Sequence, residues 1–232
     1  MRKLFAIILC FCMAMPVFGA ENEEKYVALT FDDGPSGRYT RALLDGLEKR
    51  GVKATFLLCG YRMKDYPKET ERIFAAGHEI GLHGYSHKCM SSLCPEELER
   101  EISDTMALLP AGCRPVFLRP PGGKHSKMVC DIAKRAGLAI LQWSVDPKDW
   151  CCDDAAAIES AVVESVRSGD VILLHDMSES SVEAALAIVD KLSAKGFRFV
   201  TASELAERSG INIQPGKVYQ RFTPSKDGVI YL

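Results

Sequence analysis

The sequence predicts an α/β fold, a TIM-barrel-like arrangement of parallel strands and surrounding helices in a single domain. Three observations support this prediction: a helix–glycine–strand unit recurs along the chain, seven apolar segments have the length of buried strands, and reactive side chains follow several of these segments. Helices that alternate with fully buried strands are typical of a parallel sheet. The 232 residues are enough for one barrel domain.

The recurring unit is an amphipathic helix, a glycine and a short apolar run. In the first copy, LLDGLEKR is followed by Gly51 and then by VKATFLL. A glycine directly after a helix supplies the left-handed cap, and the apolar run that follows predicts a buried strand. The unit occurs at 43–58, 69–83, 131–146, 161–176 and 187–205.

Seven strands are predicted from these and similar apolar runs, and seven or eight strand–helix units favour a barrel over an open sheet. Their approximate ranges are 26–31, 53–58, 78–83, 115–119, 138–145, 171–175 and 197–201. We expect the barrel domain to span 20–207. The remaining segment, 208–232, does not contain the unit and is predicted to be a C-terminal tail.

The N-terminus is typical of an export signal. Arg2 and Lys3 precede an apolar run that is short for a bilayer span, and small residues follow at Gly19 and Ala20. We therefore predict a signal peptide over 1–19, cleaved after Gly19, and an exported protein with no stable membrane span after cleavage. The alternative is an uncleaved anchor.

Charge and cysteine content exclude some functions. The formal net charge is −2, and it becomes −4 when the two basic residues of the signal are removed, so nothing supports nucleic-acid binding. Seven of the nine cysteines follow the signal, and this odd number leaves at least one unpaired within the chain. No CxxC spacing occurs, which argues against a zinc site built from thiolates.

Two histidines and a carboxylate form a candidate metal site. His83 and His87 in LHGYSH have the i, i+4 spacing that places two imidazoles on one face of a helical turn. Asp32 and Asp33 in TFDDGP end the first predicted strand. Two histidines and one aspartate leave positions open for water and substrate, as in catalytic zinc sites, while the second aspartate faces the water. The alternatives are unrelated histidines and an ordinary turn.

Further candidates follow later strands. Arg119 precedes the PPGG loop, whose backbone can direct an N–H at a substrate oxygen. His175 ends the strand VILLH and can donate a proton to a leaving group near neutral pH, with a neighbouring carboxylate to orient it. Trp150 offers a ring face for sugar stacking, or belongs to the barrel core.

Five motifs in this order resemble those of the polysaccharide deacetylases related to the nodulation chitooligosaccharide deacetylase, carbohydrate esterase family 4. The resemblance covers roughly residues 25–205 and implies a distorted (β/α)7 barrel, in agreement with the number of units. The motifs are TFDDGP at 30–35, HGYSH at 83–87, RPPGG at 119–123, DPKDW at 146–150 and LLHD at 173–176.

The resemblance also implies a role for each matching residue. Asp32 is implied as the catalytic base, Arg119 as the residue that holds it, and His175 as the general acid. Asp149 is implied as the partner of His175, with Asp146 as the alternative. The implied ligands of one divalent metal ion, usually zinc in this family, are Asp33, His83 and His87. The implied substrate contacts are the oxyanion-binding N–H of Gly122, the acetyl-pocket wall Leu173, and Trp150.

The implied activity is hydrolysis of N-acetyl groups from an N-acetylated polysaccharide: peptidoglycan, a chitin-like oligomer or an exopolysaccharide. The alternatives are a hydrolase of other non-peptide C–N bonds and an inactive carbohydrate-binding protein on the same fold. Two residues depart from the family pattern. Gly84 replaces a serine or threonine between the histidines, which predicts weaker metal binding, and Gly122 replaces an aromatic wall. The oligomeric state is not predicted.

Overall fold

The computed structural model of the protein describes residues 24–223, and within them strands and helices alternate along the chain. The strands are β1 Lys25–Asp32, β2 Thr55–Leu58, β3 Glu79–Leu82, β4 Phe117–Leu118, β5 Ala139–Leu141, β6 Val171–His175, β7 Phe197–Val200 and β8 Val218–Tyr219. The helices are α1 Gly37–Lys49, α2 Gly60–Asp65, α3 Pro67–Ala75, α4 Pro95–Met106, α5 Lys127–Arg135, α6 Ala155–Ser165, α7 Glu179–Ala194 and α8 Ala202–Arg208.

The local pattern behaves as the sequence predicts. Each of the seven predicted strand segments overlaps one observed strand, β1 to β7, and a helix precedes the glycine in each copy of the recurring unit, although each helix begins before the range predicted for its copy. Four of the unit's glycines lie two residues after a helix, where the chain turns into the left-handed region, whereas Gly169 lies in the turn before β6, four residues after α6 ends. All five glycines of the unit have positive φ: Gly51, Gly77, Gly137, Gly169 and Gly196.

All ladder pairings of the sheet are parallel, in the order β6-β1-β2-β3-β4-β5-β8, and β7 also pairs with β1. The distortion lies in β1, whose first half, from Lys25 to Ala28, pairs with β7 while Ala28 to Asp32 pairs with β6. A bridge between Val145 and Ile172 brings the segment after β5 back to β6, so the sheet curls on itself. The prediction of a distorted (β/α)7 barrel is confirmed.

Packing places the apolar faces of the helices on the outside of fully buried strands. In α1, Leu43, Leu44 and Leu47 are buried, and they belong to the same core cluster as Leu29 of β1 and Ile188 of α7. Burial on both faces explains why the strands are continuous apolar runs rather than alternating ones. Of the buried polar residues, Asp32, His83 and Arg119 lie at the carboxyl ends of strands, whereas Thr55, His78 and Asp170 lie at the amino ends.

The described part of the predicted tail packs on the barrel. β8 extends the sheet beside β5, and the buried Phe222 ring stacks on Tyr219. The predicted signal peptide at 1–19 and the end of the tail lie outside the described residues, and the domain boundary at 207 remains a prediction. Between residues 24 and 223, no helix has both the length and the apolarity needed to cross a membrane.

Candidate active site

The carboxyl ends of the parallel strands meet at one face of the barrel and form a cleft of about 430 Å³. Side chains that are distant in sequence come together there because each follows a different strand. The cleft is lined by Asp32, Asp33, His83, His87, Gly122, Trp143, Asp146, Trp150, Leu173 and His175. Arg119 and Asp149, the two remaining predicted site residues, are buried and contact Asp32 and His175.

Arg119 fixes Asp32 at the end of β1. Both residues are almost completely inaccessible to solvent, and Arg119 Nη1 donates a hydrogen bond of 2.6 Å to Asp32 Oδ1. The same nitrogen donates to Thr30 Oγ1, while Nε and Nη2 donate to the carbonyls of Leu141 and Gln142. A buried carboxylate keeps its charge at low cost only when a cation and hydrogen bonds compensate for lost water. This arrangement suits an ionised base in a fixed orientation.

Asp33, His83 and His87 direct one donor atom each at a common point, with the three ligand atoms within 4.8 Å of one another. Asp33 Oδ1 lies 3.2 Å from His83 Nε2 and 3.0 Å from His87 Nε2. This oxygen is buried and has no well-formed hydrogen bond to any residue in 24–223. An unsatisfied buried carboxylate oxygen beside two imidazole nitrogens fits a divalent metal ion, because oxygen and imidazole donors suit zinc.

The surrounding structure supports the same donor set. His83 Nδ1 lies 2.7 Å from the carbonyl oxygen of Arg119, which directs Nε2 towards Asp33. Burial raises the pKa of Asp33, but its interactions with His83 and His87 outweigh this effect and hold that pKa well below its usual range. Interaction with Asp33 in turn raises the pKa of His87. The carboxylate is therefore the anionic centre of the site.

Within the described chain, the non-glycine residues with positive φ are Asp33 at 71°, His87 at 59° and Lys148 at 57°. Asp33 and His87 are themselves site residues, and Lys148 directly precedes Asp149, the partner of His175. Such backbone costs on the order of 1–3 kcal/mol per residue and persists only where surrounding contacts enforce it. Strain of this kind is concentrated at functional sites.

Asp149, rather than Asp146, is the partner of His175. His175 Nδ1 lies 2.8 Å from Asp149 Oδ1, and the His175 backbone N–H donates to Asp149 Oδ2 at 2.8 Å. Burial lowers the pKa of His175, but the hydrogen bond and charge of Asp149, with smaller contributions from Asp32 and Asp33, outweigh this effect and raise that pKa to about 9. Asp146 instead accepts a hydrogen bond from the backbone N–H of Lys148. His175 Nε2 is left facing Asp33 Oδ2, at 4.0 Å.

The substrate side of the cleft has an exposed tryptophan and an open space beside a glycine. Trp150 is 67 % exposed, so the alternative that it belongs to the barrel core is wrong. Gly122 has φ of 65°, and a Cβ built on it would meet no atom within 4 Å, so the position of the absent aromatic wall is open space.

Sequence reasoning missed Trp143 and Thr30. The Trp143 ring packs against Gly123 and lies over the Arg119 guanidinium, 5.6 Å from ring centroid to Cζ. Thr30 accepts a hydrogen bond from Arg119 and donates one to the carbonyl of Ile172. For Trp143 the available signal was its place two residues after the apolar run AIL, where site residues collect. Thr30 had a polar hydroxyl inside an apolar strand.

Comparisons with known proteins agree with this geometry. A family model described as polysaccharide deacetylase matches residues 19–141. A peptidoglycan-N-acetylglucosamine deacetylase from Bacillus cereus is 40 % identical over 190 residues, which is 79 % of this chain and 89 % of that protein. A longer peptidoglycan-N-acetylmuramic acid deacetylase from Bacillus subtilis is 35 % identical over 81 % of this chain and 40 % of its own length.

Similarity extends to solved structures. A family 4 acetyl xylan esterase from Clostridium thermocellum, in complex with a cobalt ion, superposes with a TM-score of 0.79 and 35 % sequence identity. The match covers 85 % of this chain and 98 % of the esterase.

Proposed function

The chain belongs to the polysaccharide deacetylase family, and from this premise we propose that it hydrolyses N-acetyl groups of amino sugars in peptidoglycan. The observation that carries the proposal is the arrangement at the strand ends. A buried aspartate held by an arginine and a histidine held by an aspartate flank a set of three metal-binding side chains. An amide hydrolase needs a base, an acid and an electrophile in this relation.

Asp33, His83 and His87 would hold one divalent metal ion, and we propose zinc because the donors are two imidazoles and a carboxylate. When bound, zinc would supply Lewis-acid chemistry by polarising the acetamide carbonyl and acidifying the attacking water. The cobalt ion in the related esterase supports a divalent cation in this family.

The other roles in the reaction belong to side chains and a backbone N–H group of this protein. Asp32 accepts a proton from the attacking water while the water oxygen bonds to the acetamide carbon. Arg119 holds Asp32 in place through the 2.6 Å hydrogen bond and balances its negative charge. The N–H of Gly122 donates to the carbonyl oxygen as negative charge develops on it.

His175 then completes the reaction. Its Nδ1 is engaged by Asp149, so Nε2 is the nitrogen that faces the cleft and gives its proton to the departing amide nitrogen. The C–N bond breaks, and the products are acetate and a free amino sugar. Leu173 borders the space for the acetyl methyl group, and Trp150 offers its exposed ring to a sugar face.

Peptidoglycan is proposed as the substrate because the Bacillus cereus relative, most of whose length is covered, is named for peptidoglycan N-acetylglucosamine. Chitin-like oligomers and exopolysaccharides are the competing substrates. An enzyme that acts on peptidoglycan must reach it outside the cytoplasm, and the predicted N-terminal signal is consistent with export.

Acetate release tests the proposal. The protein, loaded with zinc, is incubated with peptidoglycan, N-acetylglucosamine oligomers and O-acetylated xylan, and acetate is measured with and without a chelator. A small cyclic amide is tested in parallel, with the amine that ring opening frees as the readout. We expect release from peptidoglycan that the chelator abolishes and added zinc restores. Release from none of the N-acetylated glycans would overturn the proposed activity. Release from the oligomers alone would overturn the assignment to peptidoglycan.

A further inference from the structure

We propose that Glu101 is a positioning residue for the metal site: its carboxylate fixes the loop Gly84–Ser86 that joins the two histidine ligands. The inference rests on the proposed function, because it assumes that His83 and His87 bind the metal. Glu101 lies on α4, outside every motif that points to the activity, and it does not line the cleft.

Glu101 binds the loop from the side of its N–H groups. Oε2 accepts hydrogen bonds from the backbone N–H of Tyr85, at 2.6 Å, and of Ser86, at 2.8 Å. The Ser86 hydroxyl donates to Oε1 of the same carboxylate. One ionised side chain therefore satisfies three donors in the two residues before His87, and such charge-assisted hydrogen bonds are the stronger kind.

The carbonyl groups of the same loop are held from the opposite side. The backbone N–H of Gly60 donates to the Gly84 carbonyl at 2.9 Å, and that of Tyr61 donates to the Tyr85 carbonyl at 3.0 Å. These donors open α2, while Glu101 comes from α4. The loop is thus clamped between two helices, and Glu101 is the side chain that completes the clamp.

His87 depends on this clamp more than His83 does. His83 is buried, and its Nδ1 is bonded to the Arg119 carbonyl. The His87 side chain is 43 % exposed, its backbone has φ of 59°, and no hydrogen-bond partner of its Nδ1 is found among residues 24–223. A ligand without a partner on its second nitrogen takes its orientation from its backbone. The backbone just before His87 is the part that Glu101 holds.

Gly84 and Glu101 are geometrically linked. Gly84 has φ of 79°, and a Cβ built there would lie 3.1 Å from Glu101 Oε2 and 2.8 Å from Met90 Cε. Glycine at this position lets the Glu101 carboxylate approach the loop. The missing hydroxyl at position 84 is therefore replaced by a carboxylate from α4, and the expectation of weaker metal binding does not follow from Gly84 alone.

The test measures zinc affinity by competition with a chromophoric chelator, and the visible absorption of the Co²⁺-loaded protein. Glu101→Ala is expected to weaken zinc binding about 10- to 100-fold and to change the Co²⁺ spectrum, as outer-sphere substitutions do. Glu101→Gln keeps an amide oxygen for the two N–H groups and is expected to stay within a few-fold of the parent. Asp104→Ala removes an exposed acid from the same helix and should change neither measurement.

Glu101→Asp covers the case in which the alanine variant does not fold. Aspartate keeps the charge but is one methylene too short for both N–H groups, so it should weaken zinc binding as well. Parental affinity and spectrum in folded Glu101→Ala or Glu101→Asp protein would overturn the inference. If the parent protein binds neither Zn²⁺ nor Co²⁺, the metal assignment of the proposed function fails first, and this inference fails with it.

Discussion

Arg119 Nη1 lies 2.6 Å from Asp32 Oδ1, in a part of the barrel from which solvent is almost completely excluded. His83 Nδ1 also lies at hydrogen-bonding distance, 2.7 Å, from the backbone carbonyl oxygen of Arg119. Arg119, which directly follows β4, therefore orients the proposed base through its side chain and a proposed metal ligand through its main chain. The two functions of the site are mechanically linked at Arg119.

The effects of losing the base and of losing a metal ligand can nevertheless be distinguished by substitution. Asp32→Asn keeps the shape of the side chain but cannot accept the proton, so we expect kcat to fall by about 10²- to 10⁴-fold while zinc remains bound. His87→Ala removes a donor atom, so we expect loss of the metal. Zinc content after dialysis and single-turnover acetate release measure the two effects. Equal metal loss in both variants would contradict the division of roles.

The Arg119 network predicts a conservative substitution that is not tolerated. Arg119→Lys keeps the charge, but an ammonium group cannot reach Thr30, Asp32 and the two carbonyls together. Leaving buried acceptors unsatisfied should lower the free energy of unfolding by about 1–3 kcal/mol and lower kcat at least about 10-fold. Arg135→Lys, at the exposed pair with Glu99, is the control and should cost less than about 1 kcal/mol. Similar losses in both variants would contradict the argument.

The pair His175–Asp149 predicts the alkaline limit of activity. The acid must be protonated, and Asp149 is the main group that raises the pKa of His175, so kcat/KM should fall as pH rises through this raised pKa. Asp149→Asn keeps a hydrogen-bond acceptor but removes the charge, so the fall should move to lower pH. The measurement is kcat/KM between about pH 6 and 10 at saturating zinc. An alkaline limb at the same pH in both proteins would refute the assignment of the acid.

The same shift has a consequence for stability. Because the folded pKa of His175 lies above its unfolded value, the pair stabilises the fold fully below about pH 6.5. This contribution is lost as pH rises through about 9.

Local rules account for what the sequence predicted. The period of the apolar residues and the glycine after each helix are properties of neighbouring residues, so β1 to β7 could be placed, as could the strand ends that carry the site. The pairing of β1 with both β6 and β7, and the addition of β8, depend on contacts between distant segments. No local pattern carries that information.

The same distinction between local patterns and contacts of distant segments explains which site residues the sequence predicted and which it did not. Asp146 and Asp149 are three residues apart in one loop, and only the left-handed backbone at Lys148 and the 3₁₀ turn that follows turn Asp149 towards His175. Glu101 was missed because the segment ELEREIS reads as an ordinary amphipathic helix with its acids in solvent. Two of its three partners are backbone N–H groups, which nearly every residue has and which no sequence pattern marks.

Restoring the family residue at position 84 is expected to do harm. Gly84→Ser places a Cβ at φ of 79°, close to Glu101 and Met90, so it should destabilise the protein by more than the 1–2 kcal/mol typical of left-handed strain, and zinc affinity should not improve. Gly137→Ser is the matched control, since Gly137 has φ of 77° and open space around it. The difference in free energy of unfolding between the two variants, measured with denaturant, gives the cost of the contacts with Glu101 and Met90. Tighter zinc binding by Gly84→Ser would show that the serine hydroxyl outweighs the clamp.

The two tryptophans of the cleft should respond differently to truncation, because one is exposed and the other packs against the site. Trp150→Ala removes a ring that contributes little to folding. It should leave the unfolding free energy within about 0.5 kcal/mol. If a sugar covers that ring, KM for glycan oligomers should rise about 5- to 30-fold, corresponding to roughly 1–2 kcal/mol of apolar burial. Trp143→Ala takes a partly buried ring from Gly123 and Arg119, so roughly 2–3 kcal/mol of stability should be lost. Thermal unfolding and steady-state kinetics on both variants distinguish the roles, and an unchanged KM in Trp150→Ala would remove Trp150 from the substrate site.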